Sequence, residues 1–568
     1  VKDRAKGIAA GQDLEMPGGS GRGTNSILSA IKAGTLSEEE LNTAVRNLLR
    51  FVDSVTEAES TNAVFDRDAD YRMAVSVAEN SAVLLKNEKG TLPLAKGCKA
   101  VFLGEFAEHP RYQGGGSSHV NSAKVSCALE HAPGVAYAQG YRTDEDTVDP
   151  ALEQAAVAAA VDADVAVIFA GLPERYESEG YDRTTLAMPE NQNHLIAAVA
   201  AVQPNTVVVL HNGSAIEMPW VNDVPAVLEL YLAGDGAGEA AVNLLYGAVN
   251  PSGKLAETWV NAYADTPAKD NFAGPGRMVQ YREGLYVGYR YYQTAGVPVA
   301  FPFGYGLSYT SFAYSNLQAA SNGVTLTVTN TGKRAGAEIV QLYVAKPGAE
   351  VFRPAQELKG FAKVQLQPGE SKTVTIPLDD KAFRYWNTKT DSWEVEGGNY
   401  ELRVGASSAD IRLTAVVEVA GTGAPNPYAG KHLPHYTSGK VQSVPDDEWA
   451  TLLGRPVQQG KVKIDRNMTL GEMNHSRSPL GWLIWLVLTA LLNASYKRGK
   501  PDLNVLFQYN MPLRALAKMT SGAISMGMVD GIVMELQGFW IIGLVRVIIE
   551  AVKNLVLNAQ LEQRLRNS

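Results

Sequence analysis

Val165-Ala166-Val167-Ile168-Phe169-Ala170-Gly171 is an unbroken apolar run that ends in glycine. Seven residues is strand length, and no alternate position is polar, so the run reads as a strand buried on both faces. Its surroundings repeat the pattern. Ala100-Val101-Phe102-Leu103-Gly104 reads as an earlier strand closed by a Gly turn, Thr206-Val207-Val208-Val209-Leu210 as a later one, and Val227-Leu228-Glu229-Leu230-Tyr231 as a fourth. Val83-Leu84-Leu85 is a short apolar run before Leu92-Pro93-Leu94. The Ala-rich stretch 150–161, and residues 190–202 and 236–246, read as the helices between them. Continuous apolar strands separated by helices predict an α/β sandwich with a mostly parallel sheet covered on both faces. Ligands of such sheets sit beyond the carboxyl ends of the strands.

The flanks differ. Residues 1–60 read as a turn and then a helix. Ser37 with Glu40 makes a capping box, and Leu41, Val45, Leu48, Leu49 and Val52 follow helical spacing. Between 310 and 420 the period becomes two, as in Val324 to Thr329, Val340 to Val344, Lys372 to Ile376 and Tyr400 to Val404. Short strands at this spacing predict a β-sandwich of about 100 residues. Residues 421–460 begin rich in Gly and Pro and read as a linker or arm. Residues 461–568 carry 13 basic and 7 acidic residues, a net of +6 within a chain of −9, so the remainder carries −15. Pro479 to Leu492 is apolar but, at 14 residues, short for a membrane span, and Gly538 to Val552 is broken by Arg546 and Glu550. A basic segment with apolar helices suits contact with an anionic membrane surface. It equally suits a helical hairpin packed on its own chain or on a second copy. The expected domains are therefore 1–60, 61–309, 310–420, 421–460 and 461–568, the last a helical extension.

The composition narrows the function. Of 568 residues, 45% are hydrophobic and 20% charged, which excludes wholesale disorder. With 51 basic against 60 acidic residues, general nucleic-acid binding is not expected. Cys98 and Cys127 cannot build a disulfide framework, which favours a cytoplasmic chain, at most peripheral to the inner membrane face. The opening Val1-Lys2-Asp3-Arg4 does not read as a secretory leader. The eight histidines form no HExxH motif and no close triad, and no P-loop is present, so neither metal nor cofactor is expected.

Two loops carry the chemistry. Gly171 to Arg183 leaves the carboxyl end of a strand and holds Glu174, Glu177, Glu179 and Asp182 within nine residues. Crowding or burial of such carboxylates raises one pKa and makes a general acid possible, whereas a solvated acidic loop braced by Asp182 and Arg183 is the plain alternative. Arg111-Tyr112-Gln113-Gly114-Gly115-Gly116-Ser117-Ser118-His119 follows an earlier strand of the same sheet. Its glycines admit a close ligand, and its polar side chains supply hydrogen bonds of the kind a sugar needs. Both loops are expected at one sheet edge. Asp13-Leu14-Glu15 adds two carboxylates beside a turn.

Taken in order, these segments resemble glycoside hydrolase family 3, the β-glucosidase family. Ala10 to Gly18 (AGQDLEMPG) resembles the segment closing the family's first domain, and Ala82 to Leu94 (AVLLKNEKGTLPL) the entry to its second. Pro110 to Ser118 (PRYQGGGSS) and Glu179 to Arg183 (EGYDR) resemble that domain's loops, and Phe301 to Tyr309 (FPFGYGLSY) the passage into a fibronectin-III-like domain. The tail after 430 is similar to an extension of some bacterial members. The resemblance implies a TIM-like barrel, an α/β sandwich and a fibronectin-like sandwich, and a retaining, exo-acting β-glucosidase without cofactor. Its substrate would be a β-glucoside or oligosaccharide. It implies Glu179 as general acid/base and Ser117, Arg111, Tyr112 and Glu15 as substrate contacts, with Asp182 and Arg183 supporting the loop. A retaining mechanism needs a second carboxylate roughly 5–5.5 Å away. The family's nucleophile is an Asp in a segment like SDWGA, and this sequence contains none. The spacing would place it a few residues before Val1, with most of the barrel and its Lys-His pair. The chain therefore reads as a fragment carrying the acid/base half (a truncated gene model, a cleaved product or one half of a split enzyme), poorly active or inactive by itself, with an apolar patch left on the helix at 38–53. Any raised pKa at Glu179 should then depend on the absent carboxylate. The alternatives are a non-catalytic carbohydrate-binding or interaction remnant, or action on another β-glycoside such as a xyloside.

Overall fold

The computed structural model describes residues 3–16, 24–58, 65–179, 182–272, 278–458, 460, 462–498, 502–520 and 523–566. They fall into two compact units: Arg67–Gly460, and Val1–Asp66 together with Lys461–Ser568.

The larger unit is built on a six-stranded sheet. Its strands are β1 (Val83–Asn87), β2 (Ala100–Leu103), β3 (Ala136–Ala138), β4 (Val165–Gly171), β5 (Thr206–His211) and β6 (Ala226–Glu229), in the spatial order β1-β6-β5-β4-β2-β3. Five are parallel, and β1 pairs antiparallel with β6 at one edge. Every residue of β4 and β5 is buried, as their unbroken apolar sequence requires. Alternate residues feed opposite faces. Ile168, Ala170, Val208 and Leu210 pack with Ala156, Ala160, Leu195, Ile196 and Val199 of the helices Pro150–Val161 and Glu190–Val202. Val167, Phe169, Val207 and Val209 pack with Ala241, Leu244 and Leu245 of the helix Ala237–Leu245. Asp149 caps the helix at 150 by accepting from the N–H groups of Ala151 and Leu152, with Pro150 at the first turn.

Two antiparallel sheets follow. One holds Ser371–Pro377, Gly323–Asn330 and Phe312–Ala320, and the other Glu357–Leu366, Gly336–Ala345, Gly398–Gly405 and Ile411–Val419. Val324, Leu326 and Val328 enter a shared core with Val340, Leu342, Leu402 and Val404. The period-two pattern is thus the inward face of a sandwich. Residues 421–460 form no free tether. They carry the helices Pro434–Ser438 and Asp446–Leu453, and Leu433, Tyr436 and Val441 are buried with Val260, Tyr286, Tyr291 and Tyr292. The Tyr436 hydroxyl donates to the Arg282 carbonyl at 2.8 Å.

The smaller unit is helical. The helix Glu38–Ala58 starts as its capping box predicts, with the Glu40 N–H on Ser37 Oγ at 3.2 Å and the Ser37 N–H on Glu40 Oε2 at 2.7 Å. Val45, Leu49, Phe51, Val52 and Val55 are exposed along it. From the tail come Pro479–Lys497, Leu503–Asn510, Leu513–Met519, Met526–Leu536 and Trp540–Arg566, the last two forming a hairpin. Met468, Met473, Leu513, Val529 and Leu536 make their core. Lys518 and Glu15 form an ion pair at 3.5 Å between the two ends of the chain. One expectation is corrected here. The apolar run at 479 belongs to a 19-residue helix, long and apolar enough to cross a membrane by length and composition, because Asn493, Ser495 and Tyr496 extend it without charge.

Candidate active site

The strand order reverses at β4 and β2: the chain builds outward to β5 and β6 on one side and to β3 on the other. A reversal of this kind leaves a crevice at the carboxyl edge of a parallel sheet. Both sequence-predicted loops meet there. Gly115 and Ser178 pair as an isolated parallel bridge. A Cβ on Gly115 would lie 2.7 Å from Ser178 Oγ and from Glu174 Cγ, so a side chain here would force both to shift. Gly116 has φ +85° and opens the turn Gly116–Ser118.

That turn aims the Ser117 N–H at Glu179 Oε2, 2.7 Å away. Glu179 is exposed, and the hydroxyl and backbone N–H of Ser117 hold its carboxyl below the usual carboxylate range. Hydrogen bonds to the charged form win over burial here, so the group stands ionised rather than holding a proton. Of the four carboxylates on the loop, Glu177 is the one that is enclosed. Its Oε2 accepts from Arg111 Nη1 at 2.6 Å and from the Gly213 N–H at 2.7 Å. Its Oε1 accepts from the Ser214 hydroxyl and, at 3.4 Å, from Arg183 Nη1. Arg111 is buried and also donates to the carbonyls of Leu172 (2.7 Å) and Glu177 (3.1 Å). Arg183 donates to Ser214 Oγ at 2.7 Å and to the Ala215 carbonyl at 3.2 Å.

The predicted residues therefore divide. Arg111, Ser117, Glu179 and Arg183 come together across the two loops. Tyr112 is half-buried; its carbonyl accepts from the Gly234 N–H at 2.9 Å and its hydroxyl from Gln113 Nε2 at 2.9 Å. Asp182 is exposed, and Gly180 and Tyr181 of the EGYDR segment lie outside the described residues. Glu15 belongs to the other unit, where it pairs with Arg4 as well as Lys518.

The ground beneath the loops carries residues that the sequence pattern does not single out. His211 ends β5 and is buried, and burial pushes its imidazole down to about 4, so it is neutral near pH 7. Glu229 ends β6 with no exposure, and burial drives its carboxyl well above the usual range despite the Tyr231 N–H on Oε1. Glu257 is raised by burial and then by the charge of Glu177. The raised carboxyls of this site are thus Glu229 and Glu257, not Glu179. Two signals could have found them: a charged residue inside the apolar run 227–231, and the polar His211-Asn212-Gly213-Ser214 at a strand's carboxyl end. Among the described residues, no group of three or more His, Cys, Asp or Glu is placed to hold a metal ion.

A family model described as the glycosyl hydrolase family 3 C-terminal domain matches residues 82–309, and a fibronectin type III-like model matches residues 338–408. The thermostable β-glucosidase B of Acetivibrio thermocellus is 48% identical over 437 residues, 74% of this chain and 58% of that protein. An exo-α-(1→6)-L-arabinopyranosidase of Bifidobacterium breve is 43% identical over 445 residues, 75% of this chain and 58% of that protein. The chain spans a little under three fifths of the length of these relatives. The crystal structure of a Bifidobacterium adolescentis family 3 β-glucosidase aligns with a TM-score of 0.71 at 40% identity, covering 85% of this chain and 67% of that one. The β-glucosidase 3B of Thermotoga neapolitana, in complex with α-D-glucose, aligns at 0.65 and 31%, covering 74% and 65%. With its loops, its domain order and these likenesses in agreement, the chain belongs to glycoside hydrolase family 3.

Proposed function

We propose that this chain supplies the acid/base half of a retaining, exo-acting β-glucosidase, with Glu179 as the general acid/base. The observation that carries this reading is the Ser117–Glu179 hydrogen bond, which fixes an exposed carboxylate at the crevice between β2 and β4. In a retaining mechanism one carboxylate attacks the anomeric carbon while the other protonates the leaving oxygen, then activates water to release the sugar. An ionised Glu179 cannot start that cycle. A nucleophilic carboxylate brought to roughly 5–5.5 Å would raise the Glu179 pKa by like-charge repulsion and let it hold the proton. The sequence has no SDWG-like segment to provide that nucleophile, so the 568 residues by themselves should turn over glycosides poorly.

The test is hydrolysis of p-nitrophenyl β-glucoside by two forms: this chain, and this chain joined at its N-terminus to a family 3 barrel. Activity in the joined form alone supports the reading. An unchanged rate in the joined form after Glu179→Ala would sink the acid/base assignment. The relative named an arabinopyranosidase argues for adding p-nitrophenyl α-L-arabinopyranoside and β-xyloside to the panel. The lack of an SDWG-like nucleophile segment supports a second reading for the 568 residues alone, sugar binding without turnover, which glucose titration calorimetry reports directly.

A further inference from the structure

We propose that Glu177, two residues before the acid/base, is a positioning residue for the same reaction: its half-buried carboxylate locks three loops together and so fixes where Glu179 stands. This rests on the acid/base reading of Glu179. The donors on Glu177 come from three places in the chain. Arg111 follows β2, Arg183 lies on the loop after β4 with Glu177 itself, and Gly213 and Ser214 follow β5. All three loops leave the carboxyl edge of the sheet. Arg111 also grips the Glu177 carbonyl, so backbone and side chain are held by one guanidinium. Glu177 and Glu179 flank Ser178, whose backbone pairs with Gly115 of the Gly-rich loop. Movement of Glu177 therefore moves Glu179 against Ser117.

Glu177 is poorly suited to be the acid itself. Its side chain is 13% exposed, between Arg111 at 6% and Arg183 at 15%, and both oxygens are occupied by donors. Its charge is required where it stands. Two guanidiniums with so little water need a carboxylate between them, and removal of one partner of a buried pair strands the other's charge. Glutamine would keep the shape and fail chemically. Its hydrogen-bond partners are three N–H groups, which only donate, and the Ser214 hydroxyl, so an amide NH₂ would meet two donors at the Oε2 place and, at the Oε1 place, could be accepted only by Ser214 Oγ, which already accepts from Arg183.

The kinetic arm uses the joined form with a series of aryl β-glucosides whose leaving groups run from phenol to 2,4-dinitrophenol. A good leaving group needs no proton from the acid. If Glu177 positions Glu179, Glu177→Gln lowers kcat/KM for the phenyl glucoside by about 100-fold, the effect of roughly 1 Å of misplacement, and leaves the 2,4-dinitrophenyl glucoside within about tenfold. Glu177→Asp, which restores a carboxylate, recovers part of the phenyl glucoside rate and carries the test should the Gln variant not fold. The second arm measures hydrogen exchange in the 568-residue chain. Amides of 111–119 and 212–215 exchange faster in Glu177→Gln while β4 and β5 stay protected. Equal loss across all leaving groups, or no loss, overturns the proposal. Glu179→Ala separates the two failures. Steep leaving-group dependence in Glu179→Ala without it in Glu177→Gln removes only the role of Glu177, and a flat Glu179→Ala series removes both.

Discussion

Gly116→Ala tests the geometry between the Gly-rich loop and Glu179 more sharply than removal of Glu179 itself. Gly116 has φ +85°, and a Cβ built there lies 2.6 Å from Glu179 Cβ and 2.9 Å from Glu179 Oε2. Ordinary van der Waals contact begins at 3.4 Å, so Glu179 must retreat by about 0.8 Å. A 2.7 Å hydrogen bond to the Ser117 N–H, stretched by that amount, passes out of hydrogen-bond range. Two costs are expected and they are separable. The left-handed backbone costs alanine about 1–2 kcal/mol. On the acid/base role proposed for Glu179, displacement of its carboxylate by nearly 1 Å costs about 100-fold in kcat/KM, or about 2.7 kcal/mol of transition-state stabilisation. Gly134 supplies the control. It has φ +83°, and a Cβ added to it would meet nothing within 4 Å, so Gly134→Ala carries the backbone cost alone. Urea unfolding and aryl glucoside kinetics on both variants of the joined form should show similar stability losses, with an activity loss only in Gly116→Ala. Faster exchange of the Ser117 amide in the 568-residue chain should accompany it. Equal activities in the two variants would refute the claim that the Gly116–Glu179 approach sets the position of the carboxylate.

Glu229 predicts a pH dependence of stability. Its folded pKa is raised by burial, with Glu257 and Glu177 adding repulsion, so the native state keeps a proton that the unfolded chain releases. Stability should therefore fall as pH rises above the ordinary glutamate value, by at most about 1.4 kcal/mol per pH unit, and Glu229→Gln should flatten that slope in urea titrations at several pH values. Equal slopes in the two proteins would contradict it. Ile168→Ala, at a fully buried position in the centre of β4, should cost about 2–5 kcal/mol in urea unfolding, and a loss below about 1 kcal/mol would mean that the sheet's core collapses around the gap. The exposed Trp482, Leu483, Leu486 and Ile548 predict concentration-dependent association in sedimentation velocity, reduced by Leu483→Glu with Ile548→Glu. A monomer at all concentrations that sediments with anionic vesicles would assign these faces to a membrane surface instead.

β2 and β4, buried on both faces, are legible because no polar residue interrupts them. The apolar run of β6 continues two residues too far, to Tyr231, whose φ of +55° ends the extended backbone. β3 escapes the sequence pattern because one exposed and two half-buried residues at a sheet edge carry no periodic signal. At the site, the spacing of loops to strand ends is enough to bring Arg111, Ser117, Glu179 and Arg183 together. It does not say which of four neighbouring carboxylates is enclosed. That depends on Arg111, 66 residues from Glu177, and on Gly213, 36 residues away on the other side. The stretch 421–460 has the composition of a tether, but the burial of Tyr436 is decided by Tyr286, 150 residues earlier.

The smaller unit is discontinuous, and that sets an order of assembly. Its two parts are separated in the chain by Arg67–Gly460, about 390 residues. Closing so long a flexible insert costs on the order of 5 kcal/mol in chain entropy, most of which disappears once the insert has folded. The larger unit, contiguous in sequence, is therefore the one to form first. At roughly 5–20 residues per second of synthesis, the N-terminal helices must wait on the order of a minute before the tail that pairs Lys518 with Glu15 emerges. Even with the tail in place, Val45, Leu49, Phe51, Val52 and Val55 of Glu38–Ala58 remain exposed. The Lys518–Glu15 pair can be made only after the whole of Arg67–Gly460 has been synthesised.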